Sequence, residues 1–558
     1  MNCAIVLGIL VGTSVLTGAL IVGDSVRHSL QKLTLERLGK IDLVLFADHF
    51  FAPAIIDDAI SPESPIGQLD RATSVVMVPQ ATAERTSDSP RRSGSVTVLG
   101  TGEDFWSLST AGRKPRKHPT GREVVLNQPL ADELDAEIGD IIVIRLQKVS
   151  QVAGDSPLGE KTDRVRSLAE LEVIDIVPAE GLGRFSLQAN QALPRTAFVD
   201  QETVQRALDQ EGRVNAILFS GSQPQVAPSP SEVSSLQDRI RPTLDDAGLQ
   251  LRKIELTYFD EAQEITTTSF EYLSLSTDAM MFSPQAESSL QDALSSFDFE
   301  PVLTYLANDI QRLSNGETTD SIPYSTVSAV GSGPLSPLAQ PDGTTLSPLA
   351  DDEIIINAWA AEDSQAKIGD RIRLGFFAPE TTHGEVETRT SDFRLKAIAP
   401  LTKPLLPFTR RQPARYVAAP QRTNDPDLTP TVEGVTDQQS IAEWDPPFPF
   451  DYSRIRQPQD DDYWDEYRTT PKAFISLSAG QRLWGSRFGK LTSFRIGIDD
   501  SQTEAQVRAS LTAAIQSDLG AFGFQWLPVK QQGLLASKGT TPFNVLFLGF
   551  SSFIIASA

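Results

Sequence analysis

One stretch of this chain is written twice. Residues 123–144 read EVVLNQPLADELDAEIGDIIVI and residues 353–374 read EIIINAWAAEDSQAKIGDRIRL; aligned without a gap, they share eight of twenty-two residues. An internal repeat constrains a fold more than composition does, because whatever one copy builds the other is expected to build as well. The match extends outward in the same order. LVLFAD at residues 43–48 precedes LSLSTD at 273–278 by 230 positions, and SVTVLGTG at 95–102 precedes TVSAVGSG at 326–333 by 231. VIDIVP ending at Pro178 resembles LKAIAP ending at Pro400, and AFVDQETVQR from Ala197 resembles AFISLSAGQR from Ala473. Gly248-Leu-Gln answers Gly523-Phe-Gln, each after a polar, helix-like run. The expectation is two tandem copies of one domain, residues 41–255 and 271–530.

Each copy reads as α+β. Residues 123–127 are a short apolar run rich in branched side chains, hence a strand. QPLADELDAE is helix-like, with Pro129 in the first turn, where its missing N–H costs least. Gly139-Asp140 is a turn before the apolar strand IIVIRL, and Gly369-Asp370 repeats it. Helical patterns follow near 235–247 and 503–519. The order is not the strict alternation of strand and helix that builds a dinucleotide-binding sheet. Copy two carries an insertion, residues 401–469, with ten prolines. Proline at that density excludes long helices and central strands. The segment is expected to be an extended, exposed, aromatic-bearing loop, either a partner-binding arm or a strap, that copy two can fold without. The Ser/Pro-rich stretch 221–235 reads as a linker.

The two ends are uncharged. Residues 2–23, NCAIVLGILVGTSVLTGALIVG, carry no ionisable side chain, and about 20 apolar residues span a bilayer core. Gly8 and Gly12 form a small-xxx-small pair of the kind that lets membrane helices approach closely. A membrane anchor is expected; a cleaved signal peptide is the alternative, against which stand the missing basic leader and cleavage site. Residues 24–40 continue as a helical stalk without Gly or Pro through Leu38, with Val26, Leu30 and Leu33 at helical spacing and Leu38 near the same face. GTTPFNVLFLGFSSFIIASA at 539–558 is expected to begin a second membrane helix over 543–558; a hydrophobic helix packed on the soluble domain is the alternative.

Charge and motifs exclude several functions. The net charge of −24, from 73 acidic and 49 basic side chains, argues against a nucleic-acid partner, which needs a basic face. The single cysteine, Cys3, excludes an intramolecular disulfide. GDSPLGEKT at 154–162 approaches a phosphate loop, but Glu160 separates the glycine from Lys161 and puts an anion where phosphate would sit. His28, His49, His118 and His383 have no metal spacing. Asp460, Asp461 and Asp462, with Asp465 and Glu466, lack the alternating ligands of a calcium loop and read as a solvated charge run. No catalytic, cofactor-binding or metal-binding residue is expected.

LTGALIVGDSVRHSLQKLTLERLGKID, EVVLNQPLADEL with its later IGD, VIDIVPAEGLGRF and PFNVLFLGFSSFIIASA together resemble the FtsX-like ABC-transporter permeases with a MacB-type periplasmic core domain. DPDLTP and WDPPFPFDYSRIR resemble a large-domain branch of the same permeases. The resemblance implies a non-enzymatic permease subunit in the inner membrane, present here in part, with its large domain on the extracytoplasmic side. It also implies a separate cytoplasmic ATPase subunit, a permease dimer, contact with membrane lipids, and a lipid, lipoprotein or other hydrophobic cargo. A membrane-tethered binding or scaffold protein, and an anchored hydrolase whose site is assembled in space, remain as alternatives.

Overall fold

The computed structural model describes residues 2–537 apart from 58, 87–89, 148–164, 188–191, 261–263, 315, 340–347, 382–385, 408–411, 413, 447 and 500–501, and it describes only some of the side chains before residue 23. The phosphate-loop lookalike and the expected second membrane helix lie outside these residues. Elements are numbered in chain order. The described residues divide into two units, one built from 2–147, 165–241 and 523–537, the other from 242–522.

In the first unit, helix α1 (Asn2–Leu38) leads into nine strands. These are β1 (Ile41–Phe51), β2 (Leu69–Arg85), β3 (Arg91–Thr101), β4 (Glu123–Asn127), β5 (Ile141–Gln147), β6 (Val165–Val177), β7 (Thr196–Asp200), β8 (Val214–Gly221) and β18 (Phe524–Leu527). They pair in the order β18-β1-β8-β2-β3-β7-β4-β6-β5, and β5 returns to β2. Six strands therefore close a ring, and β8, β1 and β18 extend from the first half of β2. One strand serves both parts because β2 pairs with β8 through residues 69–75 and with β5 through 82–85, with register breaks and Gln80 at φ 60° between. Such a bulge bends a strand from one sheet into another.

The second unit holds β9 (Leu249–Asp260), β10 (Ile265–Thr277), β11 (Phe299–Ser314), β12 (Glu317–Val330), β13 (Glu353–Asn357), β14 (Arg371–Phe377), β15 (Thr388–Ala399), β16 (Ala473–Ser476) and β17 (Ser493–Ile496). Their order is β9-β10-β17-β11-β12-β16-β13-β15-β14, with β14 returning to β11. That is the first unit's order, strand for strand. The unit boundaries nevertheless differ from the 41–255 and 271–530 division. β9, the strand that ends the first repeat, pairs with β10 in the second unit; β18, the last strand of the second repeat, pairs with β1 in the first.

The repeated stretch owes its shared residues to identical local work. Asn127 ends β4 and caps helix α2 (Gln128–Leu134), its side chain accepting from Leu130 N–H; Asn357 ends β13 and caps α6 (Ala358–Asp363) through Ala360 N–H. Gly139 and Gly369 sit at φ 97° and 98°, where a side chain is strained. Their N–H groups donate to Val173 and Leu395 carbonyls, both at 2.8 Å. Asp140 and Asp370 each accept from a backbone N–H three residues earlier at 2.9 Å. The cores lie against the apolar faces of these strands, where Phe198 and Leu218 in the first unit and Tyr305 and Ile356 in the second are joined by Phe105 and Trp484 from helical segments.

The insertion is not the exposed loop expected. Leu428, Trp444, Tyr463 and Trp464 are buried, and residues Gln459–Tyr467 form helix α7. Asp425 is fully enclosed, accepting from Arg495 Nη1 at 2.8 Å and from the Tyr272 hydroxyl at 2.7 Å. Prolines keep long strands out of this segment, yet it packs and even bridges β9, where the Tyr416 carbonyl accepts from Phe259 N–H at 2.9 Å. Side chains also meet some of its backbone polar groups: Asn424 exchanges two hydrogen bonds with Thr402. The acidic run is split accordingly. Asp460 is buried and held by Arg456 at 2.7 Å, whereas Asp462 is exposed.

Candidate functional site

α1 runs unbroken from the uncharged N-terminal segment through the expected stalk. Its apolar stripe, Val26, Leu30 and Leu33, is exposed; Leu38 alone of the four is buried. Counted over the described residues, no helix is long and apolar enough to cross a membrane. The helix stops at Gly39, which adopts φ 56° and donates its N–H to Leu35 at 2.9 Å, a left-handed glycine cap. An added Cβ at Gly39 would collide with the Leu108 carbonyl oxygen, the same oxygen that accepts from Lys40 N–H at 2.9 Å. The base of the helix is thus fixed to the domain before β1 begins.

The other end of the chain returns to this point. β18 runs antiparallel to β1, with Ala47 opposite Phe524 and Val44 opposite Leu527. Antiparallel pairing brings the end of β18 beside the start of β1, so helix α10 (Val529–Ser537) lies on the last turns of α1. The approach is close because residue 533 is glycine: a Cβ there would lie 2.5 Å from Thr34 Cγ2 and 3.7 Å from Leu38 Cδ1. Val529 enters the same apolar core as Leu38 and Ile41. Lys530 forms an ion pair with Asp42, the second residue of β1, and both side chains are fully buried. Gly221, at the end of β8, leaves room for the carboxylate; a Cβ there would be 2.7 Å from Asp42 Oδ2.

Burial pushes the Asp42 carboxyl up to about 6; the charge and hydrogen bond of Lys530 act against that, and Glu232 and Asp70 add to it. The desolvation cost therefore exceeds the attraction, as is common for enclosed ion pairs. Such a pair specifies an arrangement more than it stabilises one: α10 cannot leave α1 without stranding a buried charge. The site joins the helix that enters the unit to the helix that leaves it.

Among the described residues no group of His, Cys, Asp and Glu could hold a metal ion. His49 contacts the neighbouring Asp48 at 2.9 Å, and His118 lies 3.9 Å from Asp200. Asp42 and Lys530 were not singled out by motif. Their signal is a lone carboxylate in the otherwise apolar strand start Ile41-Asp42-Leu43-Val44, and a lone lysine following Trp526-Leu527-Pro528-Val529.

Comparison with known proteins matches residues 4–242 to the family described as the MacB-like periplasmic core domain. No curated protein matches the sequence. Among solved structures, the periplasmic region of MacB from Actinobacillus actinomycetemcomitans is similar at 13% identity, covering 36% of this chain and 83% of that one, with a TM-score of 0.23. The extracellular domain of the noncanonic ABC-type transporter YknZ from Gram-positive bacteria is similar at 8% identity, covering 35% and 88%, with a TM-score of 0.22. The family match carries the assignment, since identities and scores at this level add no argument of their own. It spans α1, the six-strand ring, and β1 and β8 beside it. Over residues 4–242 this chain is similar to the MacB-like periplasmic core domain.

Proposed function

We propose that this chain is a permease subunit of an ABC-type transporter, with residues 2–23 crossing the membrane and 543–558 entering it again. The extracytoplasmic part comprises two tandem copies of the core domain, and the chain performs no catalysis of its own. A separate cytoplasmic ATPase drives it, a second permease copy completes the assembly, and the cargo is a lipid, lipoprotein or other hydrophobic molecule. The observation that carries this reading is the junction of α1 and β1, which lie inside the region matched to the family, with α10, which lies outside it. The two chain segments expected to meet the membrane leave the first unit from helices that pack on one another, with Gly533 against Thr34 and Lys530 paired to Asp42. A movement imposed on one helix in the bilayer is then passed to the other and to β1. Identical strand order in both units supports the tandem copies.

The test is purification of the tagged full chain from membranes of its own host, followed by identification of bound subunits and measurement of ATP hydrolysis in lipid nanodiscs. Recovery of an ATPase subunit whose hydrolysis falls when Gly533 is replaced by Leu, with the complex still assembled, is the expected result. A chain recovered from membranes with no ATPase refutes the transporter reading in favour of a tethered binding protein.

A further inference from the structure

The second unit contains a cavity of about 80 Å³ between one face of the β11–β12 hairpin and the insertion. Leu306, Tyr324, Val435, Trp444 and Phe448 give it apolar walls, and Lys472 lines it as well. An engineered cavity of about 150 Å³ holds benzene, so this one suits a short aliphatic segment rather than a ring or a whole lipid.

The polar groups around it are unequal. Most are satisfied. The Tyr463 hydroxyl donates to Thr470 and accepts from Asn357, Tyr324 accepts from Asp451 N–H, and the Trp464 indole donates to Gln439. Asp460, the carboxylate in the wall, is occupied by three hydrogen bonds from Arg456. Three groups stand apart. The Trp444 indole N–H is buried with no acceptor, although its residue is only 6% exposed. The Lys472 side chain, also 6% exposed, meets ring faces, with its ammonium 4.7 Å from the Trp359 centroid and 4.5 Å from that of Tyr463. Among the described residues no carboxylate pairs with it. Arg468 lines the same cavity, and its Nε is likewise buried without an acceptor.

We propose that this cavity is a binding site for a short aliphatic carboxylate, its tail among Leu306, Val435 and Phe448 and its carboxylate received by Lys472 and the Trp444 indole. The ligand supplies acceptors to these donors, and its tail fills an apolar space. A buried donor left without an acceptor costs free energy, and a ligand that provides one recovers it. The charges facing Lys472 fit an anion. Burial lowers the lysine to about 8, Asp460 and Asp363 raise it and Arg456 lowers it; a bound carboxylate would restore its full charge. Comparison within the chain singles out the same residue. In the matched segments beginning at Ala197 and Ala473, Lys472 occupies the position of Thr196, so the cation belongs to the second repeat alone. The inference rests on the second unit alone and stands or falls independently of the transporter reading.

The experiment is calorimetric titration of the full chain in nanodiscs with butyrate, hexanoate and octanoate, each beside the alcohol of equal length, with tryptophan fluorescence read in parallel. Saturable binding is expected at the shorter chain lengths, with the carboxylate at least tenfold tighter than its alcohol. Lys472→Met should remove that preference while leaving thermal unfolding in place, and Trp444→Phe should weaken carboxylate binding several-fold and abolish most of the fluorescence change. The proposal is overturned if no carboxylate saturates, if alcohols bind equally, or if Lys472→Met binds hexanoate as wild type does. A Lys472→Met variant that fails to fold leaves Trp444→Phe to decide: unchanged hexanoate affinity there also overturns it.

Discussion

Replacing Lys530 with Met removes one half of the enclosed pair at the α1–α10 junction while keeping most of the side-chain volume. Breaking a buried ion pair by deleting one partner costs about 3–5 kcal/mol, because the remaining charge is stranded. Here the stranded group can escape by taking a proton, and that makes the cost depend on pH. In the native chain Asp42 already titrates near 6, raised from an ordinary 3.8 mainly by burial. A carboxyl raised in the folded state gives its full stabilisation below its unfolded pKa, and loses it as pH rises through the folded pKa. A rise of two units is worth about 3 kcal/mol, lost between pH ~4 and pH ~6. Without Lys530 the two influences that lower the carboxyl disappear, so it titrates still higher and the loss continues toward neutral pH and beyond.

The variant should therefore lose about 3–5 kcal/mol at pH 8, and the deficit should shrink by more than 1 kcal/mol at pH 5.5, where Asp42 is neutral with or without the lysine. Asp42→Asn combined with Lys530→Met should recover most of the loss at pH 8, since no charge is then buried. The assay is hydrogen exchange of the β1 and α10 amides in the full chain at both pH values, which reads the local unit rather than a global midpoint that two units would blur. A single variant within 1 kcal/mol of wild type at pH 8, or a deficit indifferent to pH, would refute the reasoning.

Three further outcomes follow from the same structure. With Cys3 replaced by Ser, Thr34→Cys and Gly533→Cys should form a disulfide on mild oxidation, because a Cβ at 533 approaches Thr34 so closely; absence of a mass-detected cross-link would displace α10 from α1. Asp425→Ala should destabilise the second unit by about 3–5 kcal/mol by leaving buried Arg495 without its carboxylate, and an exchange of 401–469 for a Gly/Ser linker should abolish that unit's cooperative unfolding; an unchanged transition in either would return the insertion to a surface strap. In intact cells with a permeabilised outer membrane, Glu211→Cys in the Cys3→Ser background should react with a membrane-impermeant maleimide, whereas labelling only after lysis would place the domain inside.

What the sequence disclosed was the local grammar. Glu123–Asn127 is a strand, Pro129 sits in the first turn of a helix, and Gly139-Asp140 is a turn, because each of these depends on a few adjacent residues with a strong physical preference. The six-strand ring was not legible, since it depends on β2 bending near Gln80 to pair at its two ends with different partners. The insertion misled because proline density reports on backbone hydrogen bonding and says nothing about where Trp444 or Tyr463 are buried. The Asp42–Lys530 junction escaped for a different reason. Its members lie 488 positions apart, and each on its own is an ordinary charged residue beside an apolar run.

The destination of the last strand in each repeat is the sharpest case, and it carries a consequence for folding. A single copy would close its sheet by laying its final strand on its first. β9 instead meets β10 almost immediately in sequence, and closing a short loop costs less entropy than reaching back over two hundred residues to β1. That choice leaves the free edge of β1 unpaired until β18 arrives from the far end of the chain. The second unit, 242–522, holds all nine of its strands in one continuous stretch; the first does not. A fragment of 24–241 lacks β18, lacks Val529 from its core and keeps Asp42 without Lys530, and an open edge strand of eleven largely buried residues is an aggregation site. Fragment 242–522 should therefore unfold cooperatively as a monomer. Fragment 24–241 should aggregate or remain uncooperative until a peptide of residues 523–537 is supplied in trans. A soluble, monomeric 24–241 with a sharp unfolding transition and no response to the peptide would show that the exchanged strand is an ornament of the first unit and not its closing element.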